Sequence, residues 1–194
     1  MITNELAKAI HQQNKTAGWW DEPVRPDGTT IALIHSELSE SYAGRGVFIF
    51  IEDEHLPQYA NWLVELADAA IRIYDFFGFK EWDVELALAF VKENGIQDLV
   101  VDTEEDNTYA AYICEIHAHV SNALEGLRKD LHVVKEGNNI PVAAVELAAA
   151  LSLIYATVNW GYDLPGIIRD KRAYNARRAD HKRENRAKAN GKKF

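Results

Sequence analysis

Two short acidic motifs lie inside apolar segments of helical period, Glu37-Leu38-Ser39-Glu40 and Glu65-Leu66-Ala67-Asp68, with 24 residues between them. Positions i and i+3 of a helix lie on one face, so each motif directs two carboxylates the same way. If the two helices pack antiparallel, the four acids converge on one region. Such a cluster cannot stay buried without cations, and oxygen ligands are those that Mg²⁺ prefers. The motifs therefore predict two packed helices with a magnesium site between them.

The segment from residue 62 to residue 77 is apolar on nearly every side, and its polar residues at 65, 68, 72 and 75 form one stripe. One interpretation is an exposed face with an ion pair between Asp68 and Arg72. The second acidic motif, on a comparably apolar helix, favours the other interpretation, a metal site shared by the two helices.

The composition predicts one compact unit, because 194 residues with 47% apolar content can bury a sizeable core. No apolar run approaches the roughly 20 residues of a membrane span. The first six residues lack the layout of a signal peptide, so we expect a cytoplasmic protein. The single cysteine, Cys114, excludes internal disulfides and a cysteine cage for zinc, and we expect it to be a small core residue.

Charge is distributed unevenly along the chain. Residues 169–194 contain 11 Lys and Arg against 3 Asp and Glu, a net charge of +8, whereas the preceding residues carry −17. An acidic body with a basic tail indicates a phosphate compound held between them. A solvated tail is an alternative. An arm for nucleic acid is disfavoured, because the acidic body would repel the nucleic-acid backbone.

Periodicity and cap residues predict an all-α fold. In the first half we expect helices at residues 3–16, from Thr29 or Thr30 to about 43, from about 57 to 77, and from about 82 to 94. Residues 47–51 have a strand-like composition but are too short to build a sheet, so we interpret them as a loop or an extended stretch. An acidic loop is expected at residues 102–107.

The second half of the chain repeats the first. Residues 34–44 align with 116–126 at an offset of 82, and residues 64–69 align with 145–150 at an offset of 81. Two stretches at nearly one offset indicate a duplication. We therefore expect a bundle of two tandem helical hairpins that pack as an internal pseudo-dimer.

The second copy lacks most of the acids. It has His119, Asn122 and Ala149 in place of Glu37, Glu40 and Asp68, and it keeps only Glu146 in place of Glu65. The pair formed by His117 and His119 could bind zinc, but no further ligands follow at suitable spacing, which favours a structural role. The second repeat is therefore predicted to be degenerate.

The ordered motifs resemble a known family. Glu-x-x-Glu followed after about two dozen residues by Glu-x-x-Asp is the signature of the all-α nucleoside triphosphate pyrophosphohydrolases, and the chain is most similar to their MazG-like branch. Further motifs occur in the family's order: Gly18-Trp19-Trp20-Asp21, the segments 33–40 and 65–75, Lys171-Arg172-Ala173-Tyr174-Asn175-Ala176-Arg177 and the terminal Gly191-Lys192-Lys193-Phe194. The resemblance predicts one MazG-like domain over residues 1–194. Residues 1–100 would be the catalytic repeat, 108–168 the degenerate repeat and 169–194 the basic tail.

The resemblance implies hydrolysis of a nucleoside triphosphate between the α and β phosphates, giving a monophosphate and pyrophosphate. A phage-type enzyme acting on dATP or dGTP is the specific expectation. Glu37, Glu40, Glu65 and Asp68 would hold Mg²⁺, for which Mn²⁺ can substitute, and Glu37 or Glu40 would take a proton from water.

The resemblance also implies a set of substrate contacts. Trp20 or Trp19 would stack on the base, although a tryptophan pair is also typical of a core. A basic last turn favoured by the helix dipole is the alternative for the tail residues. Because the acids survive in the first half and the basic motif in the second, we expect one composite site per chain, unless the tail serves a neighbouring chain. The phosphate and nucleotide contacts carried over are Lys171, Tyr174, Asn175, Arg177, with Arg178 as the alternative arginine, and Lys192.

Other functions remain open at this point. Within the superfamily the alternatives are a dUTPase-like enzyme and a phosphoribosyl-ATP pyrophosphohydrolase, and outside it a nucleotide-binding regulator without turnover. A di-iron bundle is disfavoured, because Glu-x-x-His pairs are missing at these positions. We expect a homodimer whose ligand is a nucleotide, with neither nucleic acid nor membrane as a partner.

Overall fold

The computed structural model describes residues 1–21, 24–45, 51–95, 106–186, 188 and 190. Within these residues the chain is mostly helical, as predicted, and it also forms one antiparallel β-hairpin. The elements are α1 (Asn4–Thr16), α2 (Asp27–Arg45), α3 (Asn61–Lys80), α4 (Val84–Glu93), α5 (Asp106–Lys129), β1 (His132–Lys135), β2 (Asn138–Pro141), α6 (Val142–Tyr155), α7 (Leu164–Arg177) and α8 (Arg183–Arg186), with 3₁₀ turns at Ala156–Trp160 and Ala179–His181.

Caps set the ends of the shorter helices close to their predicted positions. The Thr3 hydroxyl accepts a hydrogen bond from the backbone N–H of Leu6 at the start of α1. The Asp83 carboxylate accepts bonds from the backbone N–H groups of Glu85 and Leu86 and starts α4 two residues later than predicted. Residues 47–50 of the predicted extended stretch and residues 102–105 of the predicted acidic loop lie outside the described residues. The last two residues of that predicted loop, Asp106 and Asn107, belong to α5 instead.

The two acid-bearing helices differ more from the prediction. α2 begins at Asp27, directly after Pro26, and continues through Gly44. α3 begins at residue 61 rather than 57, because Ala60 is held extended in an antiparallel bridge with Glu52. It continues past Gly78 to Lys80. Both glycines are thus inside helices, where they permit close packing rather than a helix end.

The helices pack in pairs around a continuous apolar core. α2 packs against α3 and α5 against α6, while α1 and α7 both cover α3. The apolar segment Val142–Trp160, which contains α6, is long enough to cross a bilayer, a feature that the sequence analysis did not identify. However, 61% of its 18-residue window is buried within the structure, against α4 and α5 among others. It therefore serves as a core helix.

Corresponding residues of the two predicted repeats contact each other where the helix pairs meet. The Nδ1 atoms of His35 and His117 lie 2.6 Å apart, and the Tyr74 hydroxyl donates a hydrogen bond of 2.9 Å to the Tyr155 hydroxyl. Contacts between like positions are characteristic of a two-fold arrangement. The end helices cross over in the same way, since α4 packs on α6 and α7 packs on α3.

Cys114 is exposed, so its predicted place in the core is wrong. The buried stripe of α5 passes through Tyr112, Ile113 and Ile116. Position 114 lies off this stripe, because a helix of 3.6 residues per turn cannot bury every residue of an apolar run on one side.

A substitution at Gly78 tests how closely α1 packs against α3. Alanine is intrinsically about 1 kcal/mol better than glycine inside a helix. A Cβ at position 78, however, would overlap the Cβ of His11 and lie 2.9 Å from the Ala7 carbonyl oxygen. We expect Gly78→Ala to lower the melting temperature measured by calorimetry. The matched change Gly28→Ala, in the first turn of α2 with nothing within 4 Å, should maintain or raise it. A rise in both variants would contradict the close packing.

Candidate functional site

Three carboxylates from two helices converge at the centre of the candidate site. Glu37 of α2 and Glu65 and Asp68 of α3 can each offer one oxygen such that all three atoms lie within 4.8 Å of one another. Glu37 is buried, and the other two are partly buried. A compact set of carboxylate oxygens is the donor chemistry that suits Mg²⁺ or Mn²⁺. The donor set therefore fits the predicted cation.

Glu40, the fourth predicted acid, stands apart from this trio. It is exposed, and its carboxylate accepts a hydrogen bond of 3.0 Å from the Ser36 hydroxyl. It nevertheless lines the same cavity as the trio. The structure thus brings together three of the four predicted ligands and leaves Glu40 at the cavity wall.

Two basic side chains neutralise part of the trio. The Arg72 Nε donates a hydrogen bond of 2.6 Å to Glu37, and the Lys171 Nζ lies 2.9 Å from the Asp68 carboxylate. The alternative of an intrahelical pair between Asp68 and Arg72 is not observed, since each residue pairs with another element instead. Glu65 has no ion pair within the described part of the chain.

Burial makes the ionised trio unfavourable. It raises the pKa of Glu65 to about 8, with a further contribution from the negative charge of Asp68 and an opposing one from Lys171. Burial also raises the pKa of Glu37 and that of Asp68, although Arg72 and Lys171 respectively act in the opposite direction. A cation held by these oxygens would relieve the repulsion between them.

The trio lies on a cavity of about 470 Å³, which is within the range of small-molecule sites. Acids outnumber bases on its wall. The basic residues are Arg25, Arg72, Lys171 and Arg178, and the acidic ones are Glu37, Glu40, Asp53, Glu54, Glu65, Asp68 and Asp75.

The predicted basic motif lies on α7, which brings part of it to this cavity. Lys171 and Asn175 line the cavity, and the buried Asn175 Oδ1 accepts no hydrogen bond from the residues that the structure describes. Tyr174 lies beside them, with its ring stacked on His55 at 4.9 Å. Arg177 is exposed and outside the lining, whereas its neighbour Arg178 lines the cavity. Lys192, the remaining residue of the predicted set, lies outside the described residues.

The two tryptophans have different environments. The Trp20 indole N–H donates a hydrogen bond of 2.9 Å to Asp75, and its ring stacks on Phe79 at 3.9 Å. Trp20 does not line the cavity, but Trp19 does. The Arg186 guanidinium lies 3.6 Å from the centre of the Trp19 ring. Of the two tryptophans predicted to stack on the base, Trp19 is therefore the one beside the cavity.

A second cavity, of about 400 Å³, adjoins the first. The two share Asn14, Trp19, Asn175 and His181. Its remaining wall includes the uncharged polar residues Gln12, Gln13 and Thr16. The acidic cavity therefore continues into a space lined by amides, an aromatic ring and the charged residues Lys182, Arg183 and Glu184.

Asp53 is a site residue that the sequence analysis missed. Its buried carboxylate accepts hydrogen bonds from the backbone N–H groups of His55 and Leu56, and it lines the cavity. The signal available was the acidic run Glu52-Asp53-Glu54 directly before a histidine, since an aspartate that caps a turn lies at a defined position.

In the predicted second repeat, the residues that correspond to the trio include a histidine paired with a carboxylate. The Nδ1 of His119, which stands where the first repeat has Glu37, lies 2.7 Å from the Glu146 carboxylate. His117 contacts His35 instead, so the two predicted zinc-binding histidines have different partners. Aligning the caps Asp83 and Asp163 places the buried Val91 opposite Lys171. Within the described ranges, only the first repeat assembles a three-carboxylate group.

Comparisons of the chain with protein-family models, curated proteins and solved structures find no match.

Proposed function

We propose that this protein is a magnesium-dependent nucleoside triphosphate pyrophosphohydrolase that resembles the MazG-like family. It would convert a deoxynucleoside triphosphate, dATP or dGTP in the first instance, to the monophosphate and pyrophosphate. One observation carries the proposal: the oxygens of Glu37, Glu65 and Asp68 converge within 4.8 Å on a cavity that Lys171 also lines.

Glu37, Glu65 and Asp68 would hold Mg²⁺ in this function. When bound, Mg²⁺ would neutralise charge on the phosphate oxygens and favour deprotonation of water. Lys171 and Arg178 line the same cavity and supply positive charge for the remaining phosphate oxygens. The adjoining cavity, with Trp19 and Asn175, has the size and polarity for the nucleoside.

Glu40 is the best candidate for the proton acceptor. It lines the cavity but is not part of the trio, and its described polar contact is the Ser36 hydroxyl. In the reaction, water adds across the α–β anhydride. One product takes the hydroxyl group and the other leaves with the bridging oxygen, while the released proton passes to the Glu40 carboxylate.

We also infer that the chain consists of two MazG-like helical hairpins that form an internal pseudo-dimer. The bridge between Glu52 and Ala60 corresponds to the first pair of the β-hairpin, His132 and Pro141. Gly44 and Gly126 lie at matching positions beside the start of the following helix, where a Cβ would meet the Asn61 side-chain amide and the Ala143 backbone N, respectively. Because α7 packs on α3, the basic residues of α7 would complete the composite site within one chain.

The test is a panel of ribo- and deoxynucleoside triphosphates assayed for pyrophosphate release with Mg²⁺. We expect release that EDTA abolishes and that Asp68→Ala lowers at least about a hundredfold. Glu40→Gln should lower kcat by about 10²- to 10⁴-fold while Mn²⁺ binding is retained. Nucleotide binding without any pyrophosphate release would instead support the regulator alternative. Release of orthophosphate would indicate a different reaction.

A further inference from the structure

We propose that Arg72 and Lys171 bind phosphate groups of the substrate, and that they pair with the metal-ligand carboxylates until a cation binds. In the metal-free protein they neutralise Glu37 and Asp68. When these carboxylates take a divalent cation, the two basic groups become available to the phosphates of the substrate. This inference rests on the proposed function and adds to it a role for Arg72 and an order in which the site is filled.

The geometry places both basic groups where such an exchange is possible. Arg72 lies on α3, one turn after Asp68, yet its guanidinium reaches across to Glu37 on α2. Lys171 reaches Asp68 from α7. Both side chains line the 470 Å³ cavity, and both are largely buried, so they face the enclosed space rather than bulk water.

The charge of the cavity explains why a cation must precede the substrate. Seven carboxylates and four Lys or Arg side chains line it, a formal net charge of −3 with every carboxyl ionised and the histidines neutral. A triphosphate adds further negative charge, and like charges in a partly buried space repel each other strongly. A divalent cation on Glu37 and Asp68 offsets most of the excess and loosens the hold on Arg72 and Lys171.

This exchange of partners changes the affinity for the cation and the affinity for the nucleotide in opposite directions. When the carboxylates bind the cation, less negative charge remains to balance the two basic groups. This costs free energy, because both basic groups are largely buried. Phosphate oxygens restore that counter-charge, and the planar guanidinium of Arg72 suits two of them at once. Arg72 therefore opposes metal binding when no nucleotide is present and promotes nucleotide binding once the metal is bound.

The test measures both affinities in Arg72→Gln, with Mn²⁺ as the metal and α,β-imido-dATP as the nucleotide. By titration calorimetry without nucleotide, we expect the variant to bind Mn²⁺ about tenfold more tightly than the unaltered protein. With Mn²⁺ in excess, we expect it to bind the analogue about tenfold more weakly. Lys171→Gln should show the same pair of opposite changes.

Two control variants isolate the charge effect. Arg72→Lys keeps the charge and should keep Mn²⁺ affinity close to that of the unaltered protein. Arg128→Gln removes an exposed pair with Glu125 in the second half and should change neither affinity. Melting curves with EDTA verify that every variant is folded.

The outcomes separate this inference from the proposed function. If Arg72→Gln leaves Mn²⁺ affinity unchanged or weakens it, the inference is wrong, whereas pyrophosphate release by the unaltered protein would keep the proposed function. If the unaltered protein binds Mn²⁺ but releases no pyrophosphate, the proposed function fails and the opposite shifts in the variant still decide the inference. Binding of neither Mn²⁺ nor the analogue overturns both.

Discussion

Glu65→Gln is expected to reduce pyrophosphate release at least about a hundredfold and, in the same variant, to raise the melting temperature of the metal-free protein. The activity falls because glutamine lacks the negative charge of one of the three carboxylates that would hold Mg²⁺. The stability rises because Glu65, unlike Glu37 and Asp68, has no ion pair among the described residues. Burial and the negative charge of Asp68 therefore outweigh the attraction of Lys171 for the Glu65 charge.

The stability effect depends on pH in a defined direction. Burial raises the pKa of Glu65 from 4.5 to about 8, so the folded protein holds this proton more tightly than the unfolded chain does. Between pH 4.5 and about 8 the unfolded state therefore gains from ionisation and the folded state does not, and the protein loses stability as the pH rises. Glutamine does not ionise, so the advantage of the variant should be small near pH 4.5 and complete above pH 8.

Calorimetric melting in EDTA at pH 5, 7 and 8.5 provides the measurement, and we expect the variant to gain a few degrees at the highest pH. Added Mg²⁺ should raise the melting temperature of the unaltered protein and have little effect on the variant. Glu5→Gln, at an exposed acid in the first turn of α1, is the control and should leave activity unchanged. A variant less stable than the unaltered protein at pH 8.5 would show that the fold already neutralises Glu65.

Trp62→Ala should cause the largest loss of stability. Trp62 is 2% exposed at the start of α3, and its ring packs edge-to-face on Tyr109 of α5 at 5.3 Å and on Tyr162, just before α7, at 5.2 Å. Its carbonyl oxygen also accepts a hydrogen bond from the Ser41 hydroxyl. Truncating a buried tryptophan typically costs about 3–5 kcal/mol. Here the cavity would open between the two halves of the chain.

Urea denaturation followed by circular dichroism measures this cost. Because Trp62 joins both halves, we expect a single transition that shifts as a whole. Val134→Ala, at a valine that is 71% exposed in β1, should change the free energy of unfolding by less than about 0.5 kcal/mol. Two separate transitions, of which only one moves, would show that the halves unfold independently.

Much of the fold and part of the site could be predicted from local patterns. The stripe at 65, 68, 72 and 75 correctly identified a helix with one polar face, because helical period depends only on the backbone. The motif Lys171-x-x-Tyr174-Asn175 was correctly placed on one helix for the same reason. The β-hairpin was missed, since two four-residue strands carry too little periodicity to be recognised.

Individual partners could not be predicted in this way. Both acidic motifs were expected to give two ligands each, yet Glu40 lies apart from the trio. Of the neighbours that the sequence left open, Trp19 rather than Trp20 and Arg178 rather than Arg177 line the cavity. The two tryptophans lie in the turn after α1, and Arg178 follows the last residue of α7 with an extended backbone, so the chain direction at the helix ends decides which neighbour faces the cavity.

The amino-acid pattern was sufficient to predict that the chain is helical and that each of two apolar helices carries acids on one face, because burial and helical period are properties of each segment. The pairing of Lys171 with Asp68 was decided only by the packing of α7 across α3. Likewise, only the contact of α2 with α3 decided that Arg72 pairs with Glu37 instead of with Asp68. These pairings depend on how helices distant in the sequence cross. The crossing is selected by the fit of all side chains in the core and cannot be found from any one motif.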